Sequence, residues 1–146
     1  MNANTFDDEY FGTLRWDTKF QEWHGSITVP PHTDVGLGLP PEYTHSDELR
    51  RHIREMVELI KREELSFRER AASELFAGGG YVLFWSDDEP FDHDKFVREM
   101  ELARITFDPH SANEALTLWY EYGGGMEHGV VIFLTWDGHY DYARAS

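Results

Sequence analysis

Apolar and polar positions alternate with period two from Glu22 to Val29: Trp23, Gly25, Ile27 and Val29 fall on one face, Glu22, His24, Ser26 and Thr28 on the other. That pattern predicts a strand with one wet face. Before it, Phe11–Trp16 is a short β run closed by the turn-like Asp17-Thr18-Lys19, so the two segments read as a hairpin. The next stretch is bracketed by Pro30-Pro31 and Pro40-Pro41 and contains Gly36 and Gly38. It predicts a surface loop, with room for an edge strand over 35–39.

The period then changes to three and four. Leu49, Ile53, Met56, Val57 and Ile60 form one apolar stripe, with Thr44 or Ser46 as cap and Asp47 and Glu48 in the first turn. The stripe falters at Lys61–Glu64, and Ser66-Phe67-Arg68-Glu69 matches a capping box, so a second helix is expected from Ser66. It carries Phe67, Ala71, Leu75 and Phe76 and ends at the glycines 78–80. The apolar run Tyr81–Trp85 favours strand slightly over helix. A short helix capped by Asp92 follows, turning Phe96 and Met100 inward.

The last third predicts antiparallel strands at Arg104–Phe107, Ala115–Tyr122 and Val130–Trp136, the last returning through Asp137-Gly138. A two-residue turn there would set Leu134 against Asp141, Ile132 against Ala143, Phe133 against Tyr142 and Val131 against Arg144. Gly123–Gly125 is expected to turn the preceding hairpin. Together the segments predict an α+β fold, with an antiparallel sheet of about five to six strands packed against two to three helices in a single acidic domain over residues 1–146.

Charge sharpens this picture. The 146 residues carry a net charge of −15. Residues 49–77 are nearly neutral, with six acids and seven bases; the acidity lies in the flanking parts. Such a field repels nucleic-acid phosphates and attracts cationic partners. There is no cysteine, which excludes disulfides, thiolate metal sites and a cysteine nucleophile. The start of the chain lacks the pattern of a signal peptide, and no apolar run approaches the length of a membrane span, so a cytoplasmic protein without membrane contact is expected.

Candidate chemistry is sparse. The run Asp87-Asp88-Glu89-Pro90-Phe91-Asp92-His93-Asp94 is rich in hard oxygen ligands, but Pro90 and Phe91 break calcium-loop spacing. Its plainest reading is a solvated loop whose Asp92 caps a helix. Eight histidines form no HExxH or similar pair, and His128, at the entry to a central strand, is the one best placed for chemistry. Neither triple-glycine run has the spacing of a phosphate loop, and no serine sits in a nucleophile elbow. No catalytic residue, metal or cofactor is expected. Trp16, Trp23 and His24 in the first hairpin, with Trp136 and His139 in the last, are either core or an aromatic patch ringed by acids.

Several short motifs run in a distinctive order. Phe11-Gly12-Thr13-Leu14 is followed by Trp23-His24-Gly25, then Ala71-Ala72 and Leu75, Trp85 before the acidic loop, and a helix start at Asp94-Lys95-Phe96. The chain closes with an Ile-x-Phe strand, Glu127-His128-Gly129-Val130-Val131-Ile132 and Asp137-Gly138. This order resembles the uncharacterised bacterial family known as domain of unknown function twenty-two sixty-two, with its immunity-protein-like relatives, over about Phe11 to Ala143. The resemblance implies a similar fold and, through those relatives, a partner-binding role.

The expectation is therefore a non-enzymatic acidic protein that binds a basic protein, such as a toxin or effector, through Asp87, Asp88, Glu89, Asp92, Asp94, Trp136 and His139. The alternatives are a small metal-dependent hydrolase using Asp88 and Asp92 with His128, or an accessory subunit of a larger assembly. The oligomeric state is open.

Overall fold

A computed structural model describes residues 4–85, 89–122 and 125–146. Four strands come first: β1 (Thr5–Asp8), β2 (Gly12–Asp17), β3 (Glu22–Val29) and β4 (His32–Leu39). A 3-10 turn at Pro41–His45 leads into the long helix α1 (Asp47–Gly78). A second 3-10 turn at Gly80–Leu83 and the short helix α2 (His93–Glu99) precede β5 (Met100–Phe107), β6 (Leu116–Tyr122), β7 (Gly125–Leu134) and β8 (Tyr140–Ala145). All eight strands form one sheet in sequence order. Every neighbouring pair is antiparallel except β4 and β5. Those two are joined through the helices, the kind of long connection that parallel strands require. The fold is α+β, but the sheet is mixed and has eight strands rather than five to six antiparallel ones.

The two extra strands explain themselves. β1 is short and polar, and gains its place by pairing Phe6 with Leu14. β4 lies inside the sheet between β3 and β5, where a loop or edge strand was expected. Its proline pairs sit just beyond its two ends, so they cost no ladder hydrogen bond within it. Val35, Leu37 and Leu39 enter the core on alternate positions.

The helical segment also corrects the reading. α1 is a single helix of 32 residues, capped by the Ser46 side chain on the Leu49 N–H and closed by Gly79 at φ +80°. Its buried positions run Ile53, Met56, Val57, Ile60, Glu64, Phe67, Arg68, Ala71, Ala72 and Leu75. The stripe does not stop at Glu64; a carboxylate occupies it. Residues 81–83 belong to a 3-10 turn rather than a strand. No helix of the described residues is long and apolar enough to cross a membrane.

Near the C-terminus Gly138, at φ +87°, closes a three-residue loop in which the Thr135 N–H donates to the His139 carbonyl. Leu134 therefore pairs with Tyr140, not Asp141, and the register recovers at Phe133–Tyr142. The β6–β7 hairpin forms as expected, although Gly123 and Gly124 at its tip lie outside the described residues.

Both helices pack against one face of the sheet in a shared core. At its centre Glu64, only 2% exposed, accepts from Arg68 Nε and the Tyr120 hydroxyl, each at 2.7 Å. His32 Nε2 lies 3.0 Å from the other Glu64 oxygen, off the hydrogen-bonding line. His32 Nδ1 accepts the Leu102 N–H at 3.2 Å, and Arg68 Nη1 donates to the Val97 carbonyl at 2.8 Å. The network ties α1 to β4, β5, β6 and α2.

Burial opposes ionisation of Glu64, but contacts with His32, Arg68 and Tyr120 outweigh it and hold the carboxyl below its ordinary 4.5. Asp8 behaves alike: burial is overcome by the Phe11 N–H, the Tyr43 hydroxyl, the Tyr10 N–H and Arg54, so it stays below 3.8. Burial pushes Tyr120 well above 10, reinforced by Glu64, and raises Tyr10 and Tyr122 to about 12. In acid the unfolded chain takes up protons that folded Glu64 and Asp8 refuse, so stability falls from the ordinary carboxylate range downward. In alkali the unfolded tyrosines lose protons first, so stability falls as pH rises through and above 10. Urea unfolding across pH is expected to give a plateau from about pH 5 to 9 with losses on both sides.

Candidate binding groove on the open face of the sheet

The face of the sheet away from the helices carries the residues that alternate with the core. Along β6 these are Thr117, Trp119 and Glu121, while Leu116, Leu118 and Tyr120 point inward. Across the sheet Trp119 neighbours Arg104 of β5 and Val131 of β7, and Arg104 in turn neighbours Gly36 of β4. Beyond β7 the face is apolar: Phe133 is buried beneath a stacked Tyr142 ring at 4.6 Å, and the Arg144 guanidinium lies 5.2 Å from the Phe133 ring centre.

Towards β3 the same face opens into a groove of about 540 Å³. Three separated segments wall it, and each is held locally. The β2–β3 turn is pinned by Asp17 Oδ1, which accepts the Lys19 and Phe20 N–H groups at 2.8 and 3.1 Å. It presents Phe20 with 56% of its surface exposed. The β5–β6 loop is closed by the Asp108 N–H on the Ala115 carbonyl, at 2.7 Å, and by Asp108 Oδ1 on the His110 N–H, at 3.1 Å. His110 Nε2 meets Glu42 at 2.7 Å, tying that loop to the Pro41–His45 turn, the third wall.

The floor is equally specific. Trp119 Nε1 donates to Thr106 Oγ1 at 3.1 Å, which fixes the indole while leaving 41% of the residue exposed. Arg104 pairs with Glu22, lies 3.5 Å from His24 Nε2, and places its guanidinium 5.7 Å from the Phe20 ring centre. This pair crosses Gly38, where a Cβ would sit 2.8 Å from both Arg104 Nη2 and Glu22 Oε2. The groove thus needs glycine at that position to lie flat. Glu22, Glu42, Asp108 and Glu114 line it against Arg104, so its charge is negative.

The residues expected from sequence lie in two places. Asp87 and Asp88 fall outside the described residues. Glu89, Asp92 and Asp94 are exposed. Asp92 accepts the Lys95 N–H at 3.1 Å as the α2 cap, Glu89 lies 3.9 Å from Lys95 Nζ, and Asp94 lies 3.6 Å from His93 Nδ1. Beneath them Phe91 stacks on Phe76, in the last turns of α1, at 4.7 Å. Trp136 packs on His52, near the start of α1, at 4.8 Å, and its carbonyl meets His52 Nε2 at 2.8 Å. His52 and Phe76 are separated along the helix by roughly 36 Å at 1.5 Å per residue. The two halves of the expected site are therefore at opposite ends of the molecule.

Trp136 and His139 do not line the groove; Trp136 borders a separate cavity with Leu49, His52 and Pro109. Phe107 both lines the groove and meets the Trp136 ring edge-on at 6.5 Å, and His139 is exposed beside Thr135, to whose Oγ1 its N–H donates at 3.1 Å. Of the first-hairpin candidates, Trp23 is core with Trp16 edge-on against it at 5.2 Å, while His24 flanks the groove. His128 is exposed, its Nδ1 3.3 Å from the Ser146 carbonyl. Among the described residues no three His, Asp or Glu side chains are placed to hold a metal ion.

Sequence reasoning passed over Trp119, Phe20 and Arg104. The alternation of residues 116–122 carried the signal for Trp119, because a tryptophan on the wet phase of a strand is the exposed large aromatic that needs a reason. A larger cavity, about 630 Å³ beside α1, has a different character. There Arg50 pairs with Asp47, Arg54 with Asp8, and the Tyr10 hydroxyl with Glu58, and the lining carries four arginines against four acids, so it has no surplus of negative charge. Comparison with protein-family models, with curated proteins and with solved structures finds no match to this chain.

Proposed function

We propose that this protein is a non-enzymatic binding protein that masks a basic protein, such as a toxin or effector, by docking it on the open face of the sheet. The observation carrying this reading is the groove itself: exposed Trp119 and Phe20 within a rim of Glu42, Asp108 and Glu114. Aromatic anchors inside a polar rim are typical of protein interfaces, and the net charge of −15 accelerates encounter with a cationic partner. The motif resemblance to immunity-protein-like relatives points the same way. In this reading the exposed acids Glu89, Asp92 and Asp94 steer from a distance, while Trp136 and His139 extend the contact beyond Phe107.

Capture from the native host at low salt, repeated with a Glu42→Lys, Glu114→Lys variant, tests it. The expected result is a cationic protein retained by the natural chain, released as salt rises, and lost from the variant. Recovery of no cationic protein, or one held equally by the variant, overturns the reading.

A further inference from the structure

The groove already shows how it treats one guanidinium. Arg104 lies over the Phe20 ring and is neutralised by Glu22. With that pair accounted for, Glu42, Asp108 and Glu114 remain as surplus negative charge around the same cavity. Glu42 is shared with His110, and the Asp108 carboxylate holds the His110 N–H. Glu114 is bonded only through its backbone, its N–H donating to Ser111 Oγ and its carbonyl accepting from Thr117 Oγ1, and its carboxylate makes no hydrogen bond or ion pair among the described residues. Trp119 has spent its one donor on Thr106, so what it offers a ligand is ring surface. An aromatic face bordered by carboxylates attracts a cation.

We infer that the groove receives an arginine side chain of the basic partner, its guanidinium stacked on Trp119 and paired with the free carboxylate of Glu114, with Glu42 adding to the field. Arginine fits better than lysine because a planar guanidinium stacks on a ring and meets a carboxylate with two parallel donors, and because it sheds water more readily than an ammonium. A metal ion is a poor occupant, since the carboxylates do not converge. The inference rests on the binding reading above and narrows it to one side chain.

The test uses the full chain and three short uncharged-flank peptides carrying a central arginine, lysine or citrulline. Nuclear magnetic resonance follows the Trp119 indole N–H, assigned by its loss in Trp119→Phe. The arginine peptide is expected to shift this signal saturably and to bind roughly three- to fivefold more tightly than the lysine peptide. Citrulline, which keeps the shape but not the charge, is expected to leave the signal in place, and Glu114→Gln to weaken the arginine peptide severalfold. Equal response to arginine and lysine, a response to citrulline, or no saturable shift overturns the inference. If the peptides leave Trp119 unmoved while a basic protein is still captured in a Glu42- and Glu114-dependent manner, the arginine assignment fails and the binding reading stands. Loss of both removes the reading as well.

Discussion

Glu64→Ala is expected to lower folding stability by about 3–5 kcal/mol, measured by urea unfolding at neutral pH. Removing the carboxylate leaves the Arg68 guanidinium charged inside the core, with the Val97 carbonyl as its remaining acceptor. It also strands the hydroxyl of Tyr120, a residue 3% exposed, and the His32 nitrogen that faces Glu64. Domains of this kind have about 5–15 kcal/mol to lose, so the variant sits near the edge of folding. The loss reflects broken pairing rather than a large net gain from the ion pair. Replacing the group together, with Glu64→Met, Arg68→Leu and Tyr120→Phe, is therefore expected to recover most of it. A triple variant as unstable as Glu64→Ala would show that the polar network contributes by itself.

The second large effect is on binding. Trp119→Ala is expected to weaken the captured partner by about 2 kcal/mol or more, roughly thirtyfold, as truncation of a central aromatic anchor does. The loss should fall mainly on the dissociation rate. Reversing Glu42 and Glu114 should instead slow association and flatten its dependence on salt. Trp119 is held by one hydrogen bond and lies on an exposed face, so its removal is expected to change folding stability by no more than about 1 kcal/mol. Kinetics in a surface-capture experiment, with unfolding of the same variants alongside, separate the two effects.

Much of the fold was legible because it is written in local patterns. The inward phase of residues 22–29 and 116–122, the caps at Ser46 and Asp92, and the glycine stop after Phe76 follow from alternation and end chemistry alone. Three of the cross-strand pairs expected for the last hairpin form despite a longer turn, because an irregularity next to Leu134 absorbs the extra residue. The errors share a cause: a residue that looks disruptive in isolation is satisfied by something distant in sequence. Glu64 reads as the end of a helical stripe until His32 and Tyr120 meet it from the sheet. Gly36 and Gly38 read as loop until Arg104 is found lying across the second.

The candidate site was less legible still. Its walls come from Phe20–Glu22, Pro40–Glu42 and Asp108–Glu114, on a floor from Arg104, Thr106 and Trp119. No window of the sequence contains more than a part of it. The acidic run before α2 drew notice because its charges are contiguous, yet contiguous charge is what a solvated loop and a helix cap need. What makes the groove distinctive is acids from different strands and loops gathered around exposed rings.

The footprint of the partner on the isotope-labelled protein locates the docking face. Backbone and indole signals are followed as the captured cationic protein is added at low salt. The largest changes are expected at Phe20, Glu42, Thr106, His110, Thr117 and Trp119, with smaller ones at Trp136 and His139. Changes centred on Arg51, Glu55 and Arg62 of α1, or confined to Glu89–Asp94, would rule out docking on the open face.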